Sequence, residues 1–197
     1  METQYISSAD TAKMIRQSLK ESFPCVKFSV RSNTYSGGSS ISISWTDGPN
    51  KTQVEAVTDA FEGAYFDGMT DYKGSRYSMI DGKVVRFGVD FIFYNRDYSD
   101  STIQRVIDRF YTKFIENFKQ RGADKPTVEQ FKHGICWSVQ IFGEGMPYSE
   151  NLQADINKML AKSSDRLKVS PSKIAGRVIY LGNDGYSQVG ALTQLAE

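Results

Sequence analysis

Alternating apolar and polar positions predict two β-hairpins in the first half of the chain. The strands of the first hairpin are expected over 26–30 and 40–46, with a loop over 32–39 between them. In the second hairpin, the turn signal Asp81-Gly82 separates a short strand from a longer one over 84–94. We expect the longer strand to be central in a sheet. Its apolar face is formed by Val85, Phe87, Val89, Phe91 and Phe93.

Apolar residues at helical spacing predict three helices around these hairpins. Ser7 opens a capping-box spacing, and Pro24 ends the first helix. The second helix is expected to end at Gly63, and the third extends from a Ser99 cap to Gly122. The order helix, hairpin, helix, hairpin, helix favours an α+β fold, with an antiparallel sheet built from hairpins and helices packed on one face. A parallel nucleotide-binding sheet would instead alternate single strands with helices.

The pattern after residue 122 is less regular and predicts a smaller extension. A linker at 123–126 divides an α+β domain over 1–122 from an α/β extension over 123–197, which is either separate or part of the same fold. Four elements are expected in this extension: a strand over 135–141, a helix capped by Ser149, a short strand over 177–181 and a final helix over 189–195.

The charge balance argues against two classes of protein. Of the 197 residues, 24 are Lys or Arg and 23 are Asp or Glu, which gives a formal net charge of +1. A dedicated duplex-DNA binder usually has a basic excess, because phosphate contacts supply most of its affinity. A protein that mimics DNA would have an acidic excess. A local patch of either sign remains compatible with the balance.

The N-terminal sequence and the hydropathy pattern predict where the protein resides. Residues 1–5 lack the basic start and the apolar run of a signal peptide. No stretch approaches the roughly 20 apolar residues of a membrane span. We therefore expect a protein in the cytoplasm of the host cell, with no membrane partner.

Residues with catalytic or metal-binding chemistry are sparse. The chain has one histidine, His133, which we expect at a helix end in a structural role. Cys25 and Cys136 are expected to be buried free thiols, and no CxxC or HxxxH spacing predicts a zinc site. Asp90 is expected to pair with Arg76 across the second hairpin rather than to bind a metal. We predict no catalytic residue, metal or cofactor.

One face of the first hairpin is the candidate binding site. Small hydroxyl side chains lie there between two cations, and an aromatic residue lies in the loop. The predicted partner-binding residues are Lys27, Ser29, Arg31, Tyr35, Ser42 and Ser44, with Ser40 on the same face. Such a surface suits phosphate contacts or a polar protein interface. An ordinary solvated sheet face is the alternative.

Several motifs in the first half resemble a known family. They are Phe23-Pro24, Lys27-Phe28-Ser29-Val30-Arg31-Ser32, Tyr35-Ser36-Gly37-Gly38-Ser39, Trp45-Thr46-Asp47-Gly48-Pro49 and Phe66-Asp67-Gly68-Met69. The segment from Tyr5 to Tyr94 resembles the large polyvalent protein-associated domain, family twenty-nine. The resemblance implies a protein of phages, plasmids or integrative elements that protects or establishes incoming DNA. It supplies no catalytic residues.

Two functions from different classes follow from this resemblance. The first is a non-catalytic anti-defence protein that binds and inhibits a host defence protein or ribonucleoprotein complex, of the anti-CRISPR or anti-restriction type. The second is a nucleic-acid-binding accessory protein for transfer or establishment of the element. The oligomeric state and the role of residues 123–197 are left open by the sequence.

Overall fold

The chain folds into two compact units, which are described separately. The computed structural model describes residues 3–143, 151–166 and 168–185. The first unit combines the residues up to Trp45 with Lys51–Arg96 and those from Arg166 onward. The second combines Thr46–Asn50 with Asp97–Asp165, so most of it is inserted in sequence between two parts of the first. The predicted linker at 123–126 lies inside the second unit.

The first unit contains eight strands, two α-helices and two short 3-10 helices among its described residues. The strands are β1 (Gln4–Ile6), β2 (Ser29–Tyr35), β3 (Gly38–Thr46), β4 (Ala64–Asp67), β5 (Tyr72–Ile80), β6 (Lys83–Phe87), β7 (Phe91–Asp97) and β8 (Val178–Asn183). The helices are α1 (Ser8–Ser22) and α2 (Lys51–Thr58), and the 3-10 helices are Asp59–Phe61 and Ala175–Arg177. The α+β class is confirmed, as is the strand expected over 177–181.

The strands form two sheets rather than one. A five-stranded sheet has the order β1-β6-β5-β4, with β8 also paired to β5, and a three-stranded sheet has the order β2-β3-β7. Four of the strand pairs are antiparallel, namely β2–β3, β4–β5, β5–β6 and β5–β8, whereas β1 pairs with β6 in parallel. The two predicted hairpins therefore exist, but each belongs to a different sheet.

The first hairpin is longer than expected. β2 and β3 pair from Ser29–Ser44 to Tyr35–Gly38, which leaves only Ser36 and Gly37 as the loop. The loop predicted over 32–39 is therefore wrong in length. Gly37 has φ +85°, a conformation that glycine adopts without the steric cost of a side chain, so a two-residue connection suffices.

The long strand predicted over 84–94 is wrong, because the chain breaks it at Gly88. β6 ends at Phe87 in one sheet, and β7 begins at Phe91 in the other. A Cβ atom on Gly88 would lie 2.1 Å from the Tyr5 hydroxyl oxygen, so a larger residue where the chain leaves the first sheet would displace the exposed Tyr5 side chain. The break also changes the phase of the alternation. Ile92 is buried, and Phe93, predicted on the face of Val85, is 52% exposed.

The two α-helices of the first unit differ in how well their predicted ends agree with the structure. α1 begins at the Ser7 cap, whose side chain accepts a hydrogen bond from the Asp10 amide, and it ends before Pro24 as predicted. Gly63 does not close the second helix, which ends at Thr58 and is followed by a 3-10 turn. A Cβ atom on Gly63 would lie 1.7 Å from the Phe87 carbonyl oxygen, so Gly63 is required by close packing.

The second unit is helical. Its elements are α3 (Asp100–Lys113), α4 (Ile115–Arg121), α5 (Val128–Lys132), a 3-10 helix (Ile135–Ser138) and α6 (Leu152–Lys162). Ser99 caps the first of these helices and Gly122 ends α4 in the left-handed conformation, as predicted, but the single helix expected between them is wrong, because the chain divides it into α3 and α4 at Phe114. A separate apolar core packs these helices, with Phe110, Phe118 and Ile156 fully buried.

Other expectations for the second half have mixed outcomes. The strand predicted over 135–141 is wrong, because Ile135–Ser138 forms a 3-10 helix with Ile135 and Trp137 exposed. Local turn formation after Gly134, at φ +73°, overrides the alternating pattern. α6 is capped by Asn151. The predicted cap Ser149 and the final helix over 189–195 lie outside the described residues.

The thiols and the helix lengths bear on two further expectations. Cys25 and Cys136 are both free; Cys136 is buried, but Cys25 is exposed because it lies in the turn after α1 rather than in a strand. None of the helices in the described part of the chain combines the length and apolar character needed to cross a bilayer.

The two tryptophans provide a test of the core assignment. Trp45 is 3% exposed, and its ring centroid lies 5.7 Å from that of Phe28. We expect Trp45→Ala to lower the free energy of unfolding by about 3–5 kcal/mol through cavity formation. Trp137, 56% exposed, is the matched control, and its replacement by Ala should cost about 0.5 kcal/mol or less. Urea denaturation measures both; equal losses would contradict the assignment.

Candidate binding face

The three-stranded sheet has one buried and one outward side. Val30, Ile41, Ile43 and Ile92 lie in the apolar core, and Tyr94 packs against it. Because side chains alternate along a strand, the intervening residues of β2, β3 and β7 lie on the opposite side. We call this side, with Lys27 just before β2, the outer face. It comprises Lys27, Ser29, Arg31, Asn33, Tyr35, Ser40, Ser42, Ser44, Phe91, Phe93 and Asn95.

The predicted site residues lie together on this outer face. Arg31 pairs with Ser42 across β2 and β3, and Ser29 pairs with Ser44. Lys27, Ser29, Arg31 and Tyr35 are exposed, whereas Ser42 and Ser44 are half-buried. Ser40 differs from the expectation of an outward, accessible hydroxyl, since it is only 7% exposed.

Two aromatic side chains of the outer face were missed by the sequence reasoning. Phe91 is half-buried and Phe93 is exposed, and their ring centroids lie 6.3 Å apart with an interplanar angle of 31°. Sequence alternation predicted both on the side of Val85 because it treated 84–94 as one strand. Gly88 was the available signal, since an isolated glycine in a strand pattern often marks a break.

Asp90 closes one end of the outer face. Its Oδ2 accepts hydrogen bonds from the Ser39 amide at 2.9 Å and from Lys73 Nζ at 2.6 Å. The expected pair with Arg76 is wrong, because the break at Gly88 carries Asp90 away from β6; Arg76 instead pairs with Glu62 at 3.0 Å. Asp90 thus holds the start of β3, and its charge is balanced by Lys73.

The cations of the outer face are available to a ligand. Lys27 and Arg31 are exposed, and neither forms an ion pair with a carboxylate in the described part of the chain. The exposed Asp97 ends β7. Hydroxyls, two cations and an aromatic pair can together bind phosphates and planar groups, or a polar protein surface.

A second feature of the first unit is an acidic cleft of about 360 Å³. Asp59, Glu62, Arg76, Tyr180 and Asn183 line it. Burial raises the pKa of Glu62 above its usual value and does the same for Asp59. Glu62 also accepts a hydrogen bond from the Ile92 amide at 3.2 Å, so this carboxylate joins α2's 3-10 extension to β7.

The Tyr94 hydroxyl lies beside this cleft. It donates a hydrogen bond to Asp59 Oδ1 at 3.2 Å and lies 2.8 Å from the Thr58 hydroxyl. Burial raises the pKa of Tyr94, so the phenol stays protonated. The polar groups around the cleft are thus engaged with one another, which favours a structural role.

The remaining candidate chemistry lies elsewhere. His133 follows α5 in the second unit, and its Nδ1 lies 2.8 Å from the Glu129 carbonyl oxygen. Within residues 3–143, 151–166 and 168–185, no three His, Cys, Asp or Glu side chains are grouped so that they could hold a metal ion. Burial raises the pKa of the Cys136 thiol, so a reactive thiolate is disfavoured there.

A family model matches the part of the chain that contains the outer face. Residues 6–99 match the model of the family Large polyvalent protein associated domain 29. The resemblance of the segment from Tyr5 to Tyr94 is thereby confirmed. Domain 29 is associated with polyvalent proteins of phages and other mobile elements. No curated protein and no solved structure matches the chain.

The domain-29 segment contains α1, both hairpins and β7, and therefore every strand of the outer face. It contains neither β8, which pairs with β5, nor any of the helices α3 to α6 of the second unit. The first unit is thus completed by a strand from outside the match.

Because the Glu62 carboxyl of the acidic cleft has a raised pKa, we expect the stability of the fold to depend on pH. Because the pKa of Glu62 is raised in the fold, its contribution is full below its usual value of 4.5 and is lost as the pH rises through the higher folded value. Glutamine cannot ionise. We therefore expect the stability of the natural chain relative to Glu62→Gln to fall as the pH rises from below 4.5 toward neutrality. Urea denaturation across this range measures the difference.

Glu21 provides a control of opposite sign. The hydrogen bond from the Ser172 hydroxyl, at 2.8 Å, lowers the pKa of Glu21. The natural chain should therefore lose its advantage over Glu21→Gln as the pH falls below 4.5. A pH-independent difference for Glu62→Gln, or one that grows toward neutral pH, would contradict the assignment of burial as the cause.

Proposed function

We propose that this chain is a non-catalytic anti-defence protein of a mobile genetic element. It binds a host defence protein or ribonucleoprotein complex, of the anti-CRISPR or anti-restriction type, and inhibits it. The observation that supports this proposal is the outer face. Within the domain-29 segment, Lys27 and Arg31 are exposed on the outer face and form no ion pair with the described residues, and the exposed ring of Phe93 lies on the same face.

The balance between stability and binding supports a functional outer face. Exposed cations contribute little to folding, about 0–1 kcal/mol even when paired. Phe93 is 52% exposed, whereas the adjacent Ile92 is 6% exposed and lies in the core. These side chains are therefore better explained by a partner than by the fold, since Arg and aromatic residues are enriched where proteins bind one another.

We propose a structural role for the residues that most resemble catalytic groups. The His133 ring lies at the end of α5, where a hydrogen bond to a helix carbonyl fits a terminal histidine. The carboxylates of the acidic cleft are held by Arg76, Tyr94 and the Ile92 amide. A perturbed pKa accompanies ion-pair networks as well as catalytic sites.

The alternative is a nucleic-acid-binding accessory protein for transfer or establishment of the element. The exposed Phe93 favours it, because bases stack on aromatic side chains. A pull-down from host lysate, with and without nuclease, separates the two functions. Retention of a defence complex after nuclease treatment supports the first. Loss of all partners on treatment supports the second.

A double substitution on the outer face tests the proposed function. Lys27→Ala with Arg31→Ala should leave the melting temperature almost unchanged. If both cations form charge-assisted contacts, each worth about 1.5–3 kcal/mol, affinity for the defence complex should fall about ten-fold or more. Weaker binding should lower the protection of a targeted plasmid. This protection is measured as the transformation efficiency of the plasmid into cells with active CRISPR or restriction immunity, with and without the protein.

The matched control changes two exposed cations of β6, through Lys83→Ala with Arg86→Ala. This control should protect the plasmid as well as the natural chain does. No protection by the natural protein in any immune background would contradict the proposed function. Equal protection by both double variants, at equal melting temperature, would exclude Lys27 and Arg31 from the binding site.

A further inference from the structure

We infer, resting on the proposed function, that the outer face binds single-stranded nucleic acid by stacking bases on Phe91 and Phe93. The strand is either RNA or DNA, as exposed in a host ribonucleoprotein complex or in incoming DNA. The geometry that carries the inference is an aromatic pair on a sheet face, with hydroxyl side chains on the neighbouring strand and a guanidinium group on the strand beyond.

The spacing of the two rings favours a single strand over a duplex. Their centroids are 6.3 Å apart. Successive bases along one strand of a duplex are about 3.4 Å apart, and their faces are covered by each other. A strand that seats one base on each ring must therefore be stretched and unstacked. Single strands reach this state at low cost, whereas a duplex would have to open.

The position of Arg31 fits the phosphates of such a strand. β2 and β7 flank β3 in the sheet, and neighbouring strands are about 4.8 Å apart. Arg31 on β2 therefore lies about 10 Å across the sheet from β7. A base stacked on Phe93 directs its sugar and phosphate away from the ring, and a long guanidinium side chain on β2 reaches that region.

The serine side chains lie between the aromatic pair and the cation. Ser42, which pairs with Arg31, is half-buried on β3 between the two outer strands. A hydroxyl both donates and accepts hydrogen bonds, so it fits the edge of any base or a ribose hydroxyl. We therefore expect binding with little sequence preference and with a dependence on salt set by the few phosphate contacts.

The test uses the purified full chain and fluorescein-labelled oligonucleotides. Fluorescence anisotropy measures binding of oligo(dT), oligo(U) and a mixed-sequence duplex. We expect both single strands to bind and the duplex to bind at least ten-fold more weakly. Tighter binding of oligo(U) than of oligo(dT) would assign RNA as the ligand, and the reverse order would assign DNA. Equal or tighter binding of the duplex would overturn the inference.

Phe93→Ala is the decisive variant. The loss of one stacked base should weaken binding about 5- to 100-fold. Phe93→Tyr keeps the ring and should bind as the natural chain does. The matched control is Phe66→Ala on β4, because Phe66 is 55% exposed, close to the 52% of Phe93, and lies outside the outer face. Equal weakening by Phe66→Ala, or none by Phe93→Ala, would overturn the inference.

Arg31→Ala tests the phosphate contact separately. The slope of the logarithm of the binding constant against the logarithm of salt concentration should decrease in magnitude by about 0.7, the value for one phosphate contact of a single strand. The control Arg86→Ala, on β6, should leave the slope unchanged. An unchanged slope for Arg31→Ala would remove this residue from the proposed contact.

The oligonucleotide assay and the cell assay can fail independently. If neither oligo(dT) nor oligo(U) binds at protein concentrations up to about 1 mM, the inference is wrong. Plasmid protection in cells would then still support the proposed function through a protein contact. Conversely, strand binding without protection in cells would retain the inference and contradict the anti-defence role.

Discussion

The crossover at residues 88–90 is the constraint on which the first unit depends. Three backbone hydrogen bonds hold it: Gly88 donates to the Ile6 carbonyl at 2.7 Å, Val89 accepts from the Gly63 amide at 2.8 Å, and Asp90 donates to the Ser39 carbonyl at 3.0 Å. The Val89 side chain is fully buried. The crossover therefore joins β1, the start of β4 and the start of β3, and it carries the chain from one sheet to the other.

The position of the aromatic pair follows from this crossover. A continuous strand would keep Phe93 in phase with Val85 and bury it. The three residues of the crossover shift the alternation, so that Ile92 enters the core and Phe93 lies outside. The same segment supplies Asp90, whose carboxylate holds the Ser39 amide at the start of β3. The position of the aromatic pair and the anchoring of β3 therefore both depend on residues 88–90.

Features of the fold that depend on neighbouring residues were predicted correctly more often than features that depend on contacts between residues far apart in sequence. The caps at Ser7 and Ser99 and the end at Gly122 depend on neighbouring residues, and each was predicted correctly. The alternation in β3 was also sufficient, because one side of that strand is buried throughout. The split of 84–94 was not predicted, since it depends on backbone hydrogen bonds with Ile6 and Gly63, far away in sequence.

The pairing of β8 with β5, which completes the sheet of the first unit, also depends on residues far apart in sequence. Asp184 accepts hydrogen bonds from the Tyr65 and Tyr72 hydroxyls, each at 2.9 Å, and from the Ser75 amide at 2.8 Å. These contacts hold the end of β8 on β5, more than 100 residues away in sequence, as the separations in these pairs show. No periodicity predicts such a partner. For the candidate site, the sequence predicted the cations and hydroxyls but not Phe93.

Thiol labelling measures the orientation of β7 most directly. In a Cys25→Ser background, which removes the exposed native thiol, Ile92→Cys and Phe93→Cys are compared by their rates of reaction with a maleimide under native conditions. The crossover predicts fast labelling at position 93 and slow labelling at position 92. Fast labelling at 92 with protection at 93 is the pattern of an unbroken strand. That result would contradict the phase shift and, with it, the outer face proposed as the binding site.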